Sequence, residues 1–181
     1  MTTENEDTLG VVVRRLLPED LEAVIRVDEK ATGRRREEYF KLKLRQALSD
    51  TGVQISLGAE IDGNFAGYLL ARVYYGEFGS LEPAAVLDTL GVHPDFRRRG
   101  VGTALIDQLR TNLLGLGIRT LETEVSWKDT DLLAFFSREG FVPAGRLCLD
   151  LDLMVAGPGS ATWSSDRRSA SNRHPPFSLK G

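Results

Sequence analysis

The segment AAVLDTLGV, residues 84–92, places the strongest constraint on how this chain folds. It is an almost unbroken apolar run, whereas a strand with one face in water alternates apolar and polar residues. Its Val and Leu residues suit an extended backbone packed between neighbours. The run therefore predicts a central β-strand in a sheet that is covered by helices on both faces.

The segments on either side of this run predict the remaining elements of an α/β layer fold. Before the central strand, a strand is expected in VVVRRLL (11–17), then two helices, one from Pro18 and one over about 35–48, and then strands in VQISLGAEI (53–61) and FAGYLLARVYY (65–75). After it, we expect a helix that ends near Gly115, a strand in TLETEVSW (120–127), a helix over 131–138, and one or more strands in FVPAGRLCLDLDL (141–153). Asp62-Gly63 between the second and third strands is a hairpin signal. The order β-α-α-β-β-β-α-β-α-β predicts a mixed sheet.

The two ends of the chain differ in composition from the middle. Residues 157–181 are rich in Ser, Gly and Pro with little apolar patterning, so we expect a disordered tail. Residues 1–9 are mostly polar and expected to be flexible, which leaves 10–156 as one folded domain. The acidic start lacks the order of a signal peptide, and no apolar run is long enough to span a membrane. We therefore expect a cytoplasmic protein with no membrane partner.

Charge and cysteine content exclude several classes of function. The net charge is -3, from 23 Lys and Arg against 26 Asp and Glu, so no overall field would recruit nucleic acid. Cys148 is the only cysteine, which excludes an internal disulfide and a zinc site built on cysteines. Its place in an alternating apolar segment predicts a buried, inert thiol. No clustered ligands support a metal site.

The residues with a chemical signal lie in HPDFRRRGVGTALIDQL, residues 93–109. Three arginines, 97–99, precede a predicted helix, where cations face the positive end of the helix dipole at a cost of roughly 0.3–1 kcal/mol each. A bound pyrophosphate would make this placement favourable, because the N–H groups at a helix start attract anions and glycines without a Cβ let them approach. The alternative is a solvated basic turn whose charge is offset by Asp95.

Spacing excludes two other phosphate-binding loops. The nucleoside-triphosphate loop requires a Lys directly after its second glycine, and no Lys follows Gly102. The dinucleotide-binding fingerprint requires Gly-x-Gly-x-x-Gly in the first strand-to-helix unit. Here the glycines come late in the chain and the third is missing.

The segments LGVHPDFRRRGVGTALIDQL and LETEVSWKDTDLLAFFSREGF together resemble the GNAT superfamily of acyl-coenzyme A-dependent N-acyltransferases, over about residues 10–153. The resemblance rests on the joint occurrence of a Val-His-Pro turn, Arg97-x-x-Gly100-x-Gly102 at a helix start, and a second helix closing in Gly140-Phe141. It implies a mixed, mostly antiparallel sheet that is splayed between the fourth and fifth strands. It also implies acetyl-coenzyme A as the cosubstrate and no metal.

The resemblance further implies which residues contact the coenzyme. The loop amides would bind its pyrophosphate, and the end of the central strand would pair with the pantetheine arm. Two more positions correspond to an Asn and a Tyr of the family and are expected to face the coenzyme. The expected contacts are Leu90, Gly91, Val92, Arg97, Arg98, Arg99, Gly100, Val101, Gly102, Thr103, Asp129 and Phe136.

A general base is required, because an amine with a pKa of about 10.4 is protonated at neutral pH and cannot attack. Glu124 is the first candidate. It matches the base glutamate of the ribosomal-protein N-terminal acetyltransferases of this superfamily, five residues before an Asn that is Asp129 here. An open edge between splayed strands would partly desolvate it. The alternative is that Glu122 and Glu124 form the wet face of a strand; Glu77 and Glu82 are secondary candidates.

The proton donor for the departing thiolate is left open by the sequence. The family's usual tyrosine is replaced by Phe136, which at this spacing is typical of a core or could wall the pantetheine channel. Tyr75 or Tyr74, at a strand end, or water could supply the proton instead. The N–H of Val92 would polarise the thioester carbonyl.

The sequence therefore predicts an enzyme that transfers an acetyl group from acetyl-coenzyme A to a primary amine by direct attack. Acidic residues near the mouth favour a cationic acceptor: a protein N-terminus, a lysine or a small amine, with an aminoglycoside equally compatible. The loops over residues 33–36 and 75–82 would shape the pocket that binds the acceptor. The alternative is a non-catalytic module that binds or senses acyl-coenzyme A, suggested by Phe136 and Asp129. A homodimer could form if the last strand pairs with a second copy at a sheet edge.

Overall fold

The computed structural model describes residues 10–49, 55–75, 81–146, 148–149, 151 and 153. Its elements are β1 (Val11–Arg15), α1 (Leu21–Thr32), α2 (Glu37–Ser49), β2 (Leu57–Ile61), β3 (Asn64–Tyr74), β4 (Ala84–Val92), α3 (Val101–Gly115), β5 (Thr120–Thr123) and α4 (Thr130–Arg138). The predicted flexible start, the predicted tail over 157–181 and Glu77 lie outside the described residues. Among those described, no helix is both long and apolar enough to cross a membrane.

The five strands form one sheet in the order β1-β2-β3-β4-β5. The first four pair antiparallel, and β5 pairs parallel to β4 after the crossover through α3. The hairpin signal is confirmed: Asp62 and Gly63 both have positive φ, 51° and 73°, as a tight two-residue turn between β2 and β3 requires. The predicted mixed, mostly antiparallel sheet is therefore confirmed.

Helices cover both faces of the sheet, as the apolar β4 predicts. On one face, α1 and α2 bury Ile25 and Phe40 against Tyr68 of β3. On the other face, α3 and α4 bury Leu105 and Leu132 in a second, larger cluster. Each such side chain contributes roughly 1.5–3 kcal/mol when removed from water.

A β-bulge interrupts the pairing of β3 with β4. Leu70 pairs with Thr89 and Ala71 pairs with Leu87, so Asp88 is an extra residue on β4. Bulges bend a strand and redirect its side chains. This bulge falls where β4 stops pairing with β5, and it therefore sets the shape of the sheet at the candidate site.

Two predictions for the second half of the chain are wrong. The strand expected over 120–127 ends at Thr123, and the described residues of 141–153 form no strand. Leu149, Leu151 and Leu153 are 79%, 66% and 82% exposed, and the Cys148 thiol is exposed instead of buried. Alternating leucines supply an apolar face, but a strand also needs a hydrogen-bonding neighbour. None of the described strands offers one to this segment.

Candidate functional site

The candidate site begins where β4 and β5 separate. The two strands pair only from Ala84 with Thr120 to Leu87 with Thr123. There the Thr123 hydroxyl donates a hydrogen bond to the Leu87 carbonyl at 3.0 Å. Beyond this point β4 continues to Val92, paired only with β3 among the described residues. The β5-facing edge of this part of β4 therefore offers backbone N–H and C=O groups to a ligand.

The end of β4 combines this open edge with close packing on its α1/α2 face. Leu90 and Val92 are buried on the opposite face, in the cluster that α3 and α4 cover. A Cβ on Gly91 would lie 2.4 Å from the Tyr68 ring, so the ring itself requires a glycine here. Burial raises the pKa of Tyr68 well above its usual value, which keeps this ring neutral.

A turn after β4 leads to the arginine-rich loop. The His93 Nδ1 accepts a hydrogen bond from the Asp95 N–H at 3.2 Å, which gives this histidine a structural role in the turn Pro94–Phe96. Arg98 and Gly100 both adopt the left-handed conformation, with φ of 57° and 73°. The conformation costs nothing for glycine but strains arginine. Strain of this kind concentrates at ligand-binding loops.

The loop ends at the N-terminus of α3, whose first N–H groups have no partner within the helix. The cap residue, Gly100, has no side chain to satisfy them, and the first turn contains no acidic residue. Arg97, Arg98 and Arg99 add positive charge directly before it, with the Arg99 guanidinium 5.6 Å from the centre of the Phe96 ring. Helix dipole and side chains therefore favour an anion at the same place, which fits a diphosphate.

Contacts with α4 explain Gly102 and Thr103, in the first turn of α3. A Cβ on Gly102 would lie 3.1 Å from the Phe135 ring, so the glycine lets α4 approach α3. The Thr103 hydroxyl donates to Glu139 at 2.7 Å, at the far end of α4. The backbone amides of Val101, Gly102 and Thr103, in the first turn of α3, have no carbonyl partner within the helix.

Glu124 lies at the separation point. It directly follows Thr123, the last paired residue of β5, and its side chain is exposed. Its neighbour Glu122 is held by two partners: the Tyr74 hydroxyl donates to it at 2.8 Å, and Arg146 forms an ion pair with it. Glu124 is therefore the carboxylate of this pair that stands beside the open edge.

Tyr75, the backbone of Tyr74 and the secondary carboxylate lie at the other end of the sheet, although the Tyr74 hydroxyl reaches back to Glu122. Tyr74 pairs with Ala84 at the start of β4, and Tyr75 follows it. At about 3.3 Å of rise per residue, roughly 16 Å of strand separate Tyr75 from the level of Glu124. Glu82 lies at the same far end, before β4. Donation to Glu122 raises the pKa of Tyr74, which makes it a poorer proton donor.

Two further predicted contacts have structural partners. Asp129 caps α4, its carboxylate accepting a hydrogen bond from the Leu132 N–H at 3.1 Å. Phe136 is 3% exposed and packs edge-on against Phe135 and Phe141 in the core. Phe135 is the aromatic residue of α4 that touches the loop, through Gly102.

Sequence reasoning missed an ion pair that fixes the loop between α1 and α2. Arg36 binds Asp28, which is 4% exposed, by donating from its Nε and Nη2 to the two carboxylate oxygens. Burial lowers the pKa of Arg36, but the hydrogen bond to Asp28 outweighs it, and the pKa is raised overall. The guanidinium also lies 4.9 Å from the centre of the Tyr39 ring. This cluster anchors one of the loops expected to shape the acceptor site.

Asp88 is a second residue near the site that was missed from the sequence. It is the single charged residue inside the apolar run AAVLDTLGV, which was a visible signal. Its carboxylate lies 2.9 Å from the Lys43 ammonium of α2. A charge in the middle of a covered strand requires a partner, and α2 supplies it.

A groove of about 600 Å³ lies between α1 and the turn after β4, with Arg26, Lys30, Phe65 and Phe96 among its walls. None of the residues that line it belongs to β5. No group of three or more His, Cys, Asp or Glu with the arrangement of a metal site occurs within the described part of the chain.

The chain is similar to known proteins in sequence and fold. The model of the Acetyltransferase (GNAT) family matches residues 20–141. The ribosomal-protein-S18-alanine N-acetyltransferase from Escherichia coli is 23% identical, with 74% of this chain and 79% of that chain covered and a TM-score of 0.61. The ribosomal-protein-alanine N-acetyltransferase from Brucella melitensis biovar Abortus 2308 is 20% identical, with 78% of this chain and 98% of that chain covered and a TM-score of 0.63. An aminoglycoside N-acetyltransferase in complex with CoA is 20% identical, with 79% of this chain and 95% of that chain covered and a TM-score of 0.67.

Proposed function

Because this chain belongs to the GNAT family of acetyltransferases, we propose that it transfers an acetyl group from acetyl-coenzyme A to a primary amine at the separation of β4 and β5. The observation that carries the proposal is the open edge of β4, which runs from the separation point directly into the loop before α3. One ligand could then place its diphosphate on the helix N-terminus and its thioester beside the split. A similar fold occurs in an N-acetyltransferase in complex with CoA.

We assign the coenzyme contacts to two stretches. The amides of residues 100–103 and the guanidinium groups of 97–99 hold the diphosphate, since both present positive potential at the start of α3. The backbone edge of Leu90–Val92 pairs with the amides of the pantetheine arm, in the manner of an added strand. The N–H of Val92 donates to the thioester carbonyl and stabilises the charge that develops on its oxygen. Asp129 and Phe136 support this site by capping and packing α4.

Glu124 is the proposed general base. An attacking ammonium must lose a proton before its nitrogen lone pair can form the new C–N bond. Glu124 stands at the split with an exposed carboxylate that a cationic acceptor can reach. The C–S bond then breaks, and water protonates the thiolate, because Phe136 has no proton to give, the Tyr74 hydroxyl already donates to Glu122, and Tyr75 lies further along the sheet. A thiol with a pKa of about 8.5 is a leaving group that needs no dedicated acid.

The test is acceptor-dependent release of the coenzyme thiol. We expect release with a panel of primary amines, and a fall of about 10²- to 10⁴-fold in kcat for Glu124→Gln, the range for a lost general base. Glu122→Gln is the matched control, because it lies two residues away and is already engaged by Tyr74. Equal loss in both variants would contradict the assignment of the base.

A second candidate function is a module that binds acyl-coenzyme A without turnover. The core position of Phe136, where the family's proton donor would lie, favours it. Tight binding of acetyl-coenzyme A with no acceptor-dependent thiol release across the amine panel would support this module and refute the enzyme.

We also retain the homodimer as a proposal. The outer edge of β5 pairs with no strand among the described residues, and exposed edges attract strands of other chains. Sedimentation analysis of the purified protein tests it: a monomer at all concentrations would refute it.

A further inference from the structure

The ammonium group of Lys43 lies beside the point where β4 and β5 separate. The Lys43 Nζ lies 2.9 Å from the Asp88 Oδ1 and 5.8 Å from the centre of the Tyr39 ring. The side chains of Lys43 and Asp88 are only 18% and 17% exposed. Lysine is among the residues that proteins bury least. A carboxylate and an aromatic face are also the two groups that recognise an ammonium ion.

The carboxylate is held firmly in place. Asp88 is the extra residue of the β4 bulge, which turns its side chain toward α2. The Thr89 hydroxyl donates to the Asp88 Oδ2 at 3.2 Å. The Tyr39 hydroxyl lies 3.3 Å from the Thr89 Oγ1 and donates to it, because the one hydroxyl proton of Thr89 is already used. The aromatic ring and the carboxylate are thus linked into one unit.

This unit flanks the proposed reaction site. Leu87 and Thr123 are the last paired residues of β4 and β5, so Asp88 and Glu124 are the first residues beyond the pairing on each strand. Glu122 faces the same side of the sheet as Tyr74, and strand alternation places Glu124 on that side too. Asp88 is reached from this side by α2. The two carboxylates therefore lie on opposite sides of the gap between β4 and β5.

We propose that Asp88 and Tyr39 form an ammonium subsite of the acceptor site, which Lys43 occupies until an acceptor displaces it. This inference rests on the proposed function and names its substrate class: a primary amine that carries a second ammonium group a few carbon atoms from the reactive nitrogen. The reactive nitrogen meets Glu124, and the second ammonium replaces that of Lys43. The flexible four-carbon stem of a lysine allows this exchange without movement of the helix.

The exchange makes opposite predictions for two variants. Lys43→Met keeps the apolar stem but removes the occupant, so the subsite is open and the acceptor binds more tightly. Asp88→Asn keeps the shape and the hydrogen bond from Thr89 but removes the charge, so the acceptor binds more weakly. We expect a change of about tenfold in each direction, the low end for a hydrogen bond to a charged group.

The experiment compares 1,4-diaminobutane with butylamine, which has the same carbon chain and one amine fewer. The KM for acetyl transfer is measured for the wild type, Lys43→Met, Asp88→Asn and the control Lys41→Met. Lys41 lies on the same helix but pairs with Glu37 and Glu38 on its exposed side. The KM for the diamine should fall in Lys43→Met and rise to that of butylamine in Asp88→Asn. In each variant the KM for butylamine should change less than the KM for the diamine, and the control should match the wild type for both amines.

A binding measurement separates this inference from the proposed function. Calorimetry with 1,4-diaminobutane and the protein saturated with coenzyme A requires no turnover, so absence of acetyl transfer would refute the enzyme while the subsite is still tested. Equal affinity for diamine and monoamine in the wild type and in Lys43→Met would overturn the subsite. So would an Asp88→Asn variant that melts at a lower temperature but keeps its preference, since Asp88 would then be structural only. Acetylation of Lys43 itself, detected by mass spectrometry, would identify it as a substrate and overturn its role as an occupant.

Discussion

The strained arginine of the loop offers a prediction in which stability and binding change in opposite directions. Arg98 adopts a left-handed backbone with φ of 57°. This conformation costs a non-glycine residue roughly 1–2 kcal/mol. Arg98→Gly removes the cost but gives the unfolded chain about 0.4–1 kcal/mol more conformational entropy to lose. The free energy of unfolding should therefore stay the same or rise by up to about 1.6 kcal/mol, which raises Tm by at most about 6 °C.

The same substitution should weaken the binding of coenzyme A. A hydrogen bond to a charged group contributes about 1.5–3 kcal/mol, and the exposure of Arg98 favours the lower end. The dissociation constant should therefore rise about tenfold. A residue kept at a cost in stability and needed for binding is the expected sign of a functional loop.

Denaturant unfolding and calorimetric titration with coenzyme A measure the two effects. Asp62→Gly is the matched control, because Asp62 is the other described non-glycine residue with positive φ and lies in the β2–β3 turn. It should relieve strain without any change in coenzyme affinity. The reasoning is refuted if Arg98→Gly unfolds at least 1 kcal/mol more easily, or if it binds coenzyme A as tightly as the wild type.

Three further predictions concern the scaffold. Burial raises the pKa of Asp20, but its hydrogen bonds, chiefly from Arg14, outweigh burial, and the pKa is lowered overall. Asp20 therefore stabilises the fold at any pH above its unfolded pKa of about 3.9, and this stabilisation is lost as the pH falls through the lower folded pKa. Asp20→Asn should therefore lower the free energy of unfolding by about 2 kcal/mol at pH 7, which is less than the loss of a partner from a fully buried ion pair. In acid the free energies of unfolding of the variant and the wild type should converge, as denaturant unfolding at a series of pH values would measure. Gly91→Ala forces a Cβ to 2.4 Å from the Tyr68 ring and should cost about 1–3 kcal/mol in denaturant unfolding; an unchanged midpoint would contradict the packing. Leu105→Ala empties a fully buried site and should cost about 2–5 kcal/mol; a loss below 1 kcal/mol would show that α3 does not pack as described.

The parts of the fold that local pattern determines were predictable. β4 spans the same residues, 84–92, as the apolar run that predicted it, because a covered strand has a distinctive composition. Asp62-Gly63 predicted its turn because few residue pairs accept positive φ in succession. The strand over 120–127 was overestimated because its length depends on a neighbour: β4 bends at Asp88, and pairing stops at Thr123.

The candidate site was predictable as a set of residue types but not as an arrangement. The loop of arginines and glycines has a local signature, since a helix start and a lack of Cβ atoms are visible in sequence. The distance of Tyr75 from Glu124 depends on the register of three strands, which no local pattern records. The Lys43–Asp88 pair joins residues 45 positions apart, so its existence follows only from the packing of α2 on the sheet.

The central claim is that the loop before α3 binds a diphosphate. Calorimetric titration of the full chain with coenzyme A and, separately, with pantetheine tests it most directly, because the two share the thiol arm and differ in the diphosphate-bearing nucleotide. The account predicts that coenzyme A binds at least about 100-fold more tightly than pantetheine, the contribution of two charged hydrogen bonds at the low end. Equal affinities, or no binding of coenzyme A, would contradict it.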